Sequence, residues 1–316
     1  MIADGDLAVT DAKPYLASCR FSDAMEQEQG LEGWTQRYRQ LRSGSYAGSV
    51  QTLKLPGMVL NRERINVAVE EETVPPADSI VFVCSMSDGS AWRVNSARQG
   101  PDRLTVARGG TEIVAAGEDN SDLLMVTVDA ERLSVPPETL PPLQILPLGA
   151  EGEAVRQWLG TLLAGCERNP DSLDPDLCRL LPDLLADRLN AVLARAPEGD
   201  GTHVEPCGAF RLFQGARDLL ESDPCAALTV AQLCRALEVT EKNLRDAFLL
   251  TLGIGPSVWL RQRRLDGARR DLLRAAEAGQ TVSQVAMHWG FWHLGRFSAY
   301  YAALYGETPS QTARRA

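Results

Sequence analysis

The sequence predicts an α+β chain, with a β-rich N-terminal unit and an all-helical C-terminal unit. Three observations carry that expectation. Between Ser49 and about Val128, short apolar segments recur, separated by Gly, Pro, Asp and Asn, which is the pattern of successive strands. From about residue 151 onward the apolar residues return at helical spacing instead. The 316 residues exceed one ordinary core, and a chain of that length divides into about two domains of roughly 100–200 residues.

In chain order, the first thirty residues hold Asp4, Asp6, Asp11 and Asp23, with neither a basic start nor an apolar run, so no secretory signal is expected. Leu31, Trp34, Tyr38 and Leu41 in LEGWTQRYRQLR fall on one helical stripe closed by Gly44, which predicts a short amphipathic helix over 31–42. VQTLKL, MVLNRERINVAVE, SIVFVCSM, AWRVNSA, RLTVA, TEIVAA and LLMVTV then read as seven or so strands of a sandwich or small barrel. VPPETLPPLQILP, residues 135–147, ends the β region. Leucines at helical spacing predict helices at about 151–166 and 175–196, and 197–208 has linker composition.

Two similar helical units follow. Thr229 can cap a helix VAQLCRALEV and Thr240 a second, EKNLRDAFLLTL, by accepting a hydrogen bond from early backbone N–H groups. Thr281 repeats the plan ahead of VSQVAMHWG, with a turn at Gly290 and another helix just after it. Each pair has the grammar of a helix-turn-helix, whose second helix lies in the major groove of DNA. Between them Pro256 starts a connector of about 21 residues, roughly 31 Å long at 1.5 Å per residue, close to the ~34–36 Å between successive major-groove faces.

Charge agrees with a split of roles. The whole chain carries a formal −10, but residues 207–316 hold 14 Arg and Lys against 10 Asp and Glu, a net +4. The remainder holds 18 against 32, a net −14. A basic C-terminal unit on an acidic N-terminal one suits a protein of which one part meets phosphates. Helical spacing buries Leu244, Ala247 and Phe248 in the first unit and leaves Glu241, Lys242, Arg245 and Asp246 outward. In the second it buries Phe291, Phe297 and Tyr301 and leaves Trp292, His293, Gly295 and Arg296 outward. Arg245 and Arg296 are the candidate paired donors to guanine, and Thr240, Lys242, Asn243, Trp292, His293, Gly295 and Ser298 complete the candidate DNA-contacting set. Arg261, Arg263, Arg264, Arg269 and Arg270 on the connector are expected on phosphates or on acidic neighbours.

Gly253-Ile254-Gly255-Pro256, Arg264-Leu265, Ala268, Val285-Ala286, Gly290-Phe291, Phe297, Tyr301, Tyr305-Gly306 and Pro309-Ser310 together resemble the double helix-turn-helix of AraC-type transcription regulators, over about residues 209–315. Within that family GWTQRYRQL, LGIGPSVWL and WGFWHLGRF resemble the ethanolamine-utilisation regulator subgroup. Asp246 departs from the pattern, standing where the family often has a basic or amide residue.

The resemblance implies a cupin-like effector-binding domain over 1–148, a helical dimerisation region over 149–197, a linker at 198–208 and a DNA-binding domain over 209–316, with helix-turn-helix units at 229–251 and 281–304. It implies a cytoplasmic homodimer that binds promoter DNA, meets RNA polymerase and acts as an activator in response to a small-molecule effector, such as an amine. A regulator without a ligand, its β domain serving only dimerisation, is the alternative.

The three histidines, His203, His288 and His293, all lie outside 49–128, which rules out a histidine metal site in the strand region, and no cofactor is expected. An organic effector is instead expected against Phe82, Met86 and Trp92, with a carboxylate among Glu70–Glu72 or Glu112 for a cation. No GxSxG, HExxH, P-loop or GxGxxG occurs, and Cys84 in VFVCSM reads as an inert buried thiol, so no enzyme is expected. No 18-residue apolar stretch exists to span a membrane.

Overall fold

A computed structural model describes residues 15–87, 91–169, 175–195, 202–204, 207–223 and 227–315. Two antiparallel sheets lie face to face. The larger contains β1 (Tyr15–Phe21), β3 (Gly48–Leu55), β4 (Met58–Ile65), β11 (Ser121–Asp129), β6 (Ser79–Ser85), β9 (Arg103–Arg108), β12 (Leu143–Pro147) and β13 (Thr202–His203), in that order. The smaller runs β2 (Thr35–Gln40), β5 (Val69–Val74), β10 (Ile113–Ala116), β7 (Trp92–Val94) and β8 (Ala97–Gln99). The two sheets stay separate, so the expected barrel or sandwich resolves as a sandwich. A short α1 (Ala24–Gln27) sits beside β2, and α2 (Gly149–Arg168) and α3 (Pro175–Arg195) cover the larger sheet. Among the described residues no helix is long and apolar enough to cross a membrane.

Alternation along each strand divides the side chains between layers. On β6, Ile80, Phe82 and Cys84 pack against Leu159, Leu163, Leu181, Leu185 and Leu189 of α2 and α3. Val81 and Val83 face the other way, into the space between the sheets, with Trp92, Val94, Ile113, Ala115, Leu123 and Met125. The outer face of the smaller sheet is covered in turn by the C-terminal helices, where Ala68, Val114 and Ala116 share one core with Phe210, Phe213, Phe248 and Trp259. The order of layers is therefore helices, large sheet, small sheet, helices.

The C-terminal helices are α4 (Gly208–Ser222), α5 (Val230–Ala236), α6 (Glu241–Leu252), α7 (Pro256–Leu272), α8 (Ala275–Ala278), α9 (Val282–His288), α10 (Leu294–Tyr305) and α11 (Pro309–Thr312). A second aromatic core, of Phe291, Phe297, Tyr301 and Tyr305 with Leu265 and Leu272, holds the last units together.

Three expectations need correction. The helix expected over 31–42 is strand β2 at Thr35–Gln40, because it pairs with β5 in a register that sets Arg39 opposite Glu70 and Arg37 opposite Glu72. MVLNRERINVAVE is two strands in different sheets, β4 and β5. AWRVNSA is a hairpin, β7 and β8, whose Asn95 and Ser96 both take positive φ (46° and 73°), the backbone of a tight two-residue turn. The linker composition at 197–208 falls largely outside the described residues.

Candidate nucleic-acid interface

Each helix-turn-helix is set by the same local chemistry. Thr229 accepts a hydrogen bond from Gln232 N at 3.3 Å while Gln232 Oε1 accepts one from Thr229 N at 2.8 Å. Thr281 and Gln284 repeat this capping box at the same two distances. Glu238 (φ 54°) and Gly290 (φ 72°) supply the left-handed residue of each turn, and Gly253 and Gly306 (φ 73° and 71°) end each second helix. Thr281 and Gly290 lie 52 residues after Thr229 and Glu238, whereas Tyr301 and Gly306 lie 53 after Phe248 and Gly253. The second unit is the first with one residue more in its turn. That residue delays the last helix: α10 starts at Leu294 rather than just after Gly290, so Trp292 and His293 stand in the turn ahead of it.

Packing leaves one face of each second helix open. In α6 Leu244, Ala247, Phe248 and Leu252 are buried, and Glu241, Lys242, Asn243, Arg245 and Asp246 are exposed. Thr240 spends its hydroxyl oxygen on the helix, accepting from Asn243 N at 3.2 Å. Around α10 Phe291, Phe297 and Tyr301 are buried, while Trp292 (74% exposed), His293, Gly295 and Arg296 are open and Ser298 is half-buried. Arg296 occupies the third position of α10, as Asn243 does in α6, at the helix end that meets base edges in this motif. Arg245, Arg296 and Lys242 show no side-chain partner among the described residues, so their donors point to solvent.

The connector arginines divide into two groups. Arg261 and Arg264 lie over rings, 4.8 Å from the centroid of Tyr300 and 5.1 Å from that of Phe291. The other three are taken by carboxylates of the β unit, which settles between the two expectations for them. Arg263 Nη2 lies 3.1 Å from Glu72 Oε1, and Arg39 Nη1 lies 2.8 Å from the same oxygen. Arg269 donates from Nε and Nη2 to Asp23 Oδ2 at 2.8 and 2.6 Å. Arg270 pairs with Glu28 and, at 2.9 Å, with Asp266. Trp259 Nε1 donates to Glu70 Oε2 at 3.0 Å and Ser96 Oγ shares a hydrogen bond with Thr251 at 2.7 Å. Burial opposes ionisation of Glu72, but Arg39 and Arg263 outweigh it and hold that carboxyl below its ordinary value. The connector is also shorter than expected, 17 residues, or about 25 Å at 1.5 Å per residue. It is closely packed: a Cβ on Gly267 would lie 2.1 Å from the Trp289 ring.

Residues 233–315 match the family described as helix-turn-helix domain. The C-terminal unit is thus similar in sequence to helix-turn-helix domains. The chain is 36% identical over 165 residues to the probable thc operon regulatory protein of Rhodococcus erythropolis, covering 50% of this chain and 49% of that protein. It is 28% identical over 100 residues to XylDLEGF operon transcriptional activator 2 of Pseudomonas putida, covering 32% of this chain and 64% of the relative. The chain thus spans about half the length of the Rhodococcus relative. Both relatives are transcription regulators and not enzymes. Among solved structures, the AraC-like transcriptional activator CuxR aligns over 81% of this chain and 96% of its own, with 14% identity and a TM-score of 0.41.

The residues expected around an effector do not meet in one place. Phe82 faces α2 and α3, and Met86 packs on that same side, its Cε 2.5 Å from where a Cβ on Gly160 would stand. Trp92 faces the space between the sheets. Glu112 lies at the surface, half exposed, paired with Arg217 of α4. Strand alternation separates them: neighbouring apolar residues on a strand enter different cores. It also splits the three glutamates of β5, sending Glu71 between the sheets and Glu70 and Glu72 toward α7. Cys84 is buried, and that burial pushes its thiol up to about 12, away from the nucleophilic thiolate form.

Proposed function

We propose that the chain is a cytoplasmic, DNA-binding transcription regulator, an activator, that responds to a small-molecule effector. The observation that supports the DNA role best is the pair of helices α6 and α10, each ended by a left-handed glycine, whose outward basic residues lack internal partners among the described residues, while three of the connector arginines are consumed inside the protein. Arg296 and Arg245 read bases, with Lys242, Asn243, Thr240, Trp292, His293, Gly295 and Ser298 around them. Asp246, exposed on α6, either repels phosphate or accepts from a cytosine amine, which makes α10 the stronger reader.

The β unit, residues 1–148, is read as the effector domain, 149–197 as the dimerisation region and 209–316 as the DNA-binding domain, the regulator meeting RNA polymerase as a homodimer. The contacts of Glu70, Glu72, Asp23 and Glu28 with α7 give an effector a mechanical route to DNA affinity. The resemblance to the ethanolamine-utilisation subgroup supports an amine as the effector. DNase footprinting of the cognate promoter tests the reading: Arg296→Ala should lose protection while keeping the helical circular dichroism of the parent, and an unchanged footprint would remove Arg296 from base reading.

A further inference from the structure

The two sides of the connector α7 are electrically unlike. Arg263, Arg269 and Arg270 meet Glu72, Asp23 and Glu28 of the β unit. Arg261 and Arg264, three residues apart and so neighbours on one helix face, meet no carboxylate among the described residues. The acids of the connector itself are spent elsewhere: Asp266 takes Arg270 at 2.9 Å, and Asp271 accepts from Trp289 Nε1 at 2.7 Å. Like charges side by side repel, and burial adds to their cost; burial and the charge of Arg261 both lower the Arg264 value. Aromatic rings hold the pair in place, Tyr300 at 4.8 Å from the Arg261 guanidinium and Phe291 at 5.1 Å from that of Arg264. Stacking occupies the face of a guanidinium and leaves free the N–H donors in its plane. Among the described residues the one donor of the pair with a partner is Arg264 Nε, in a long 3.4 Å bond to the Leu260 carbonyl.

Both rings belong to the second helix-turn-helix. Tyr300 lies four residues after Arg296 on α10, one turn along the same open face, and is 43% exposed. Phe291 follows the Gly290 turn, and Arg264 Nη1 lies 3.6 Å from where a Cβ on Gly290 would stand. A major groove is about 8.5 Å deep and one helical turn rises about 5.4 Å. With the start of α10 at the base edges, a group one turn beyond Arg296 therefore lies toward the phosphate rim of the groove.

We propose that Arg261 and Arg264 each bind a phosphate of the DNA backbone beside α10, a sequence-independent anchor that fixes how that helix enters the groove. The proposal rests on the DNA-binding reading of α10. A phosphate supplies the counter-charge that the chain withholds and accepts from the in-plane donors. The rings order both side chains beforehand, so little rotamer freedom is lost on binding. Arg261 and Arg264 then set affinity and register, and Arg296 sets sequence preference.

Fluorescence anisotropy at several salt concentrations tests this, with the full chain, a duplex enriched by it from a random library, and a scrambled duplex of the same composition. Loss of two phosphate contacts in Arg261→Gln/Arg264→Gln should flatten the slope of log affinity against log salt by about 1.8. A fourfold rise in salt then costs the variant about twelvefold less affinity than it costs the parent. The loss should be equal on the two duplexes, whereas Arg296→Ala should lose the preference between them. Arg261→Lys/Arg264→Lys keeps both charges and should restore the slope. A slope unchanged in the glutamine variant, a loss confined to the enriched duplex, or a lysine variant as flat as the glutamine one overturns the proposal. Should the double variant not fold, each single glutamine variant serves, with an expected flattening of about 0.9. A parent that binds neither duplex refutes the DNA reading and this proposal with it; a parent that binds both while the glutamine variant keeps its slope refutes the proposal alone.

Discussion

Arg269 is the position at which the interdomain account is most exposed to refutation. Its guanidinium belongs to a residue 6% exposed, donates twice to Asp23, reaches Glu307 at 2.7 Å and the Tyr301 hydroxyl at 3.0 Å, and lies 4.4 Å from the Tyr305 ring centroid. Arg269→Met keeps most of the stem and removes the charge, leaving Asp23, 2% exposed, without its counter-ion. Breaking a buried pair from one side costs about 3–5 kcal/mol. Two charge-assisted hydrogen bonds at roughly 1.5–3 kcal/mol each give the same range. Asp23 keeps the backbone N–H of Met25 at 3.0 Å and Glu307 keeps Arg315 at 3.1 Å, which places the expected loss at the lower end, about 3 kcal/mol. Urea unfolding of the full chain with linear extrapolation measures it. The double variant Asp23→Leu/Arg269→Met should regain part of the loss, because both charges leave together. A loss below about 1 kcal/mol, with DNA affinity falling instead, would make Arg269 a phosphate contact and refute the reasoning.

Other outcomes follow from the same geometry. Arg296→Ala should leave urea stability within about 0.5 kcal/mol of the parent while weakening promoter binding by about 1–3 kcal/mol, read by fluorescence anisotropy. Gly267→Ala drives a methyl group into the space that the Trp289 ring occupies against the connector, and should destabilise the helix-turn-helix domain by about 1–3 kcal/mol in thermal melts. Glu72 is held below its ordinary value by Arg39 and Arg263 after burial is overcome, and Glu307 by hydrogen bonds and charge from Arg269 against its own burial. Their contribution is therefore present above the unfolded glutamate value of about 4.3 and lost as pH falls through the depressed values. Stability should drop on acidification below about pH 4, less steeply in Glu72→Gln. Glu71 has the opposite sign: raised by burial, it weakens the fold as it ionises, so Glu71→Gln should raise the melting temperature at pH 7, a gain that vanishes toward about pH 4.

What was legible in the sequence was what local chemistry decides. The threonine caps, Pro256 at the start of the connector and the apolar spacing of both second helices all act within a few residues, and α5, α7 and α9 begin where those signals put them, whereas α10 starts three residues later than the turn at Gly290 suggested. The strand β2 was hidden because Leu31, Trp34, Tyr38 and Leu41 match a helical stripe, while its real determinant, pairing with β5, lies about thirty residues or more away. The fates of the connector arginines were legible only as alternatives. Arg269 and Arg270 find Asp23 and Glu28 more than 240 residues earlier in the chain, a distance over which spacing carries no information. The division of the expected effector residues between layers was hidden for a related reason: Phe82 and Trp92 are both apolar strand residues, and only the layer each faces separates them.

The proposal that most needs a test is that α6 and α10, two exposed helices each ended by a left-handed glycine, read DNA together. Selection of bound sequences from a random duplex library by the full chain tests it most directly. The account predicts a bipartite motif whose halves lie about one helical turn, roughly 10 bp, apart, with the half read by α10 lost in Arg296→Ala. Failure to enrich any motif, or a motif unchanged by Arg296→Ala, would contradict it.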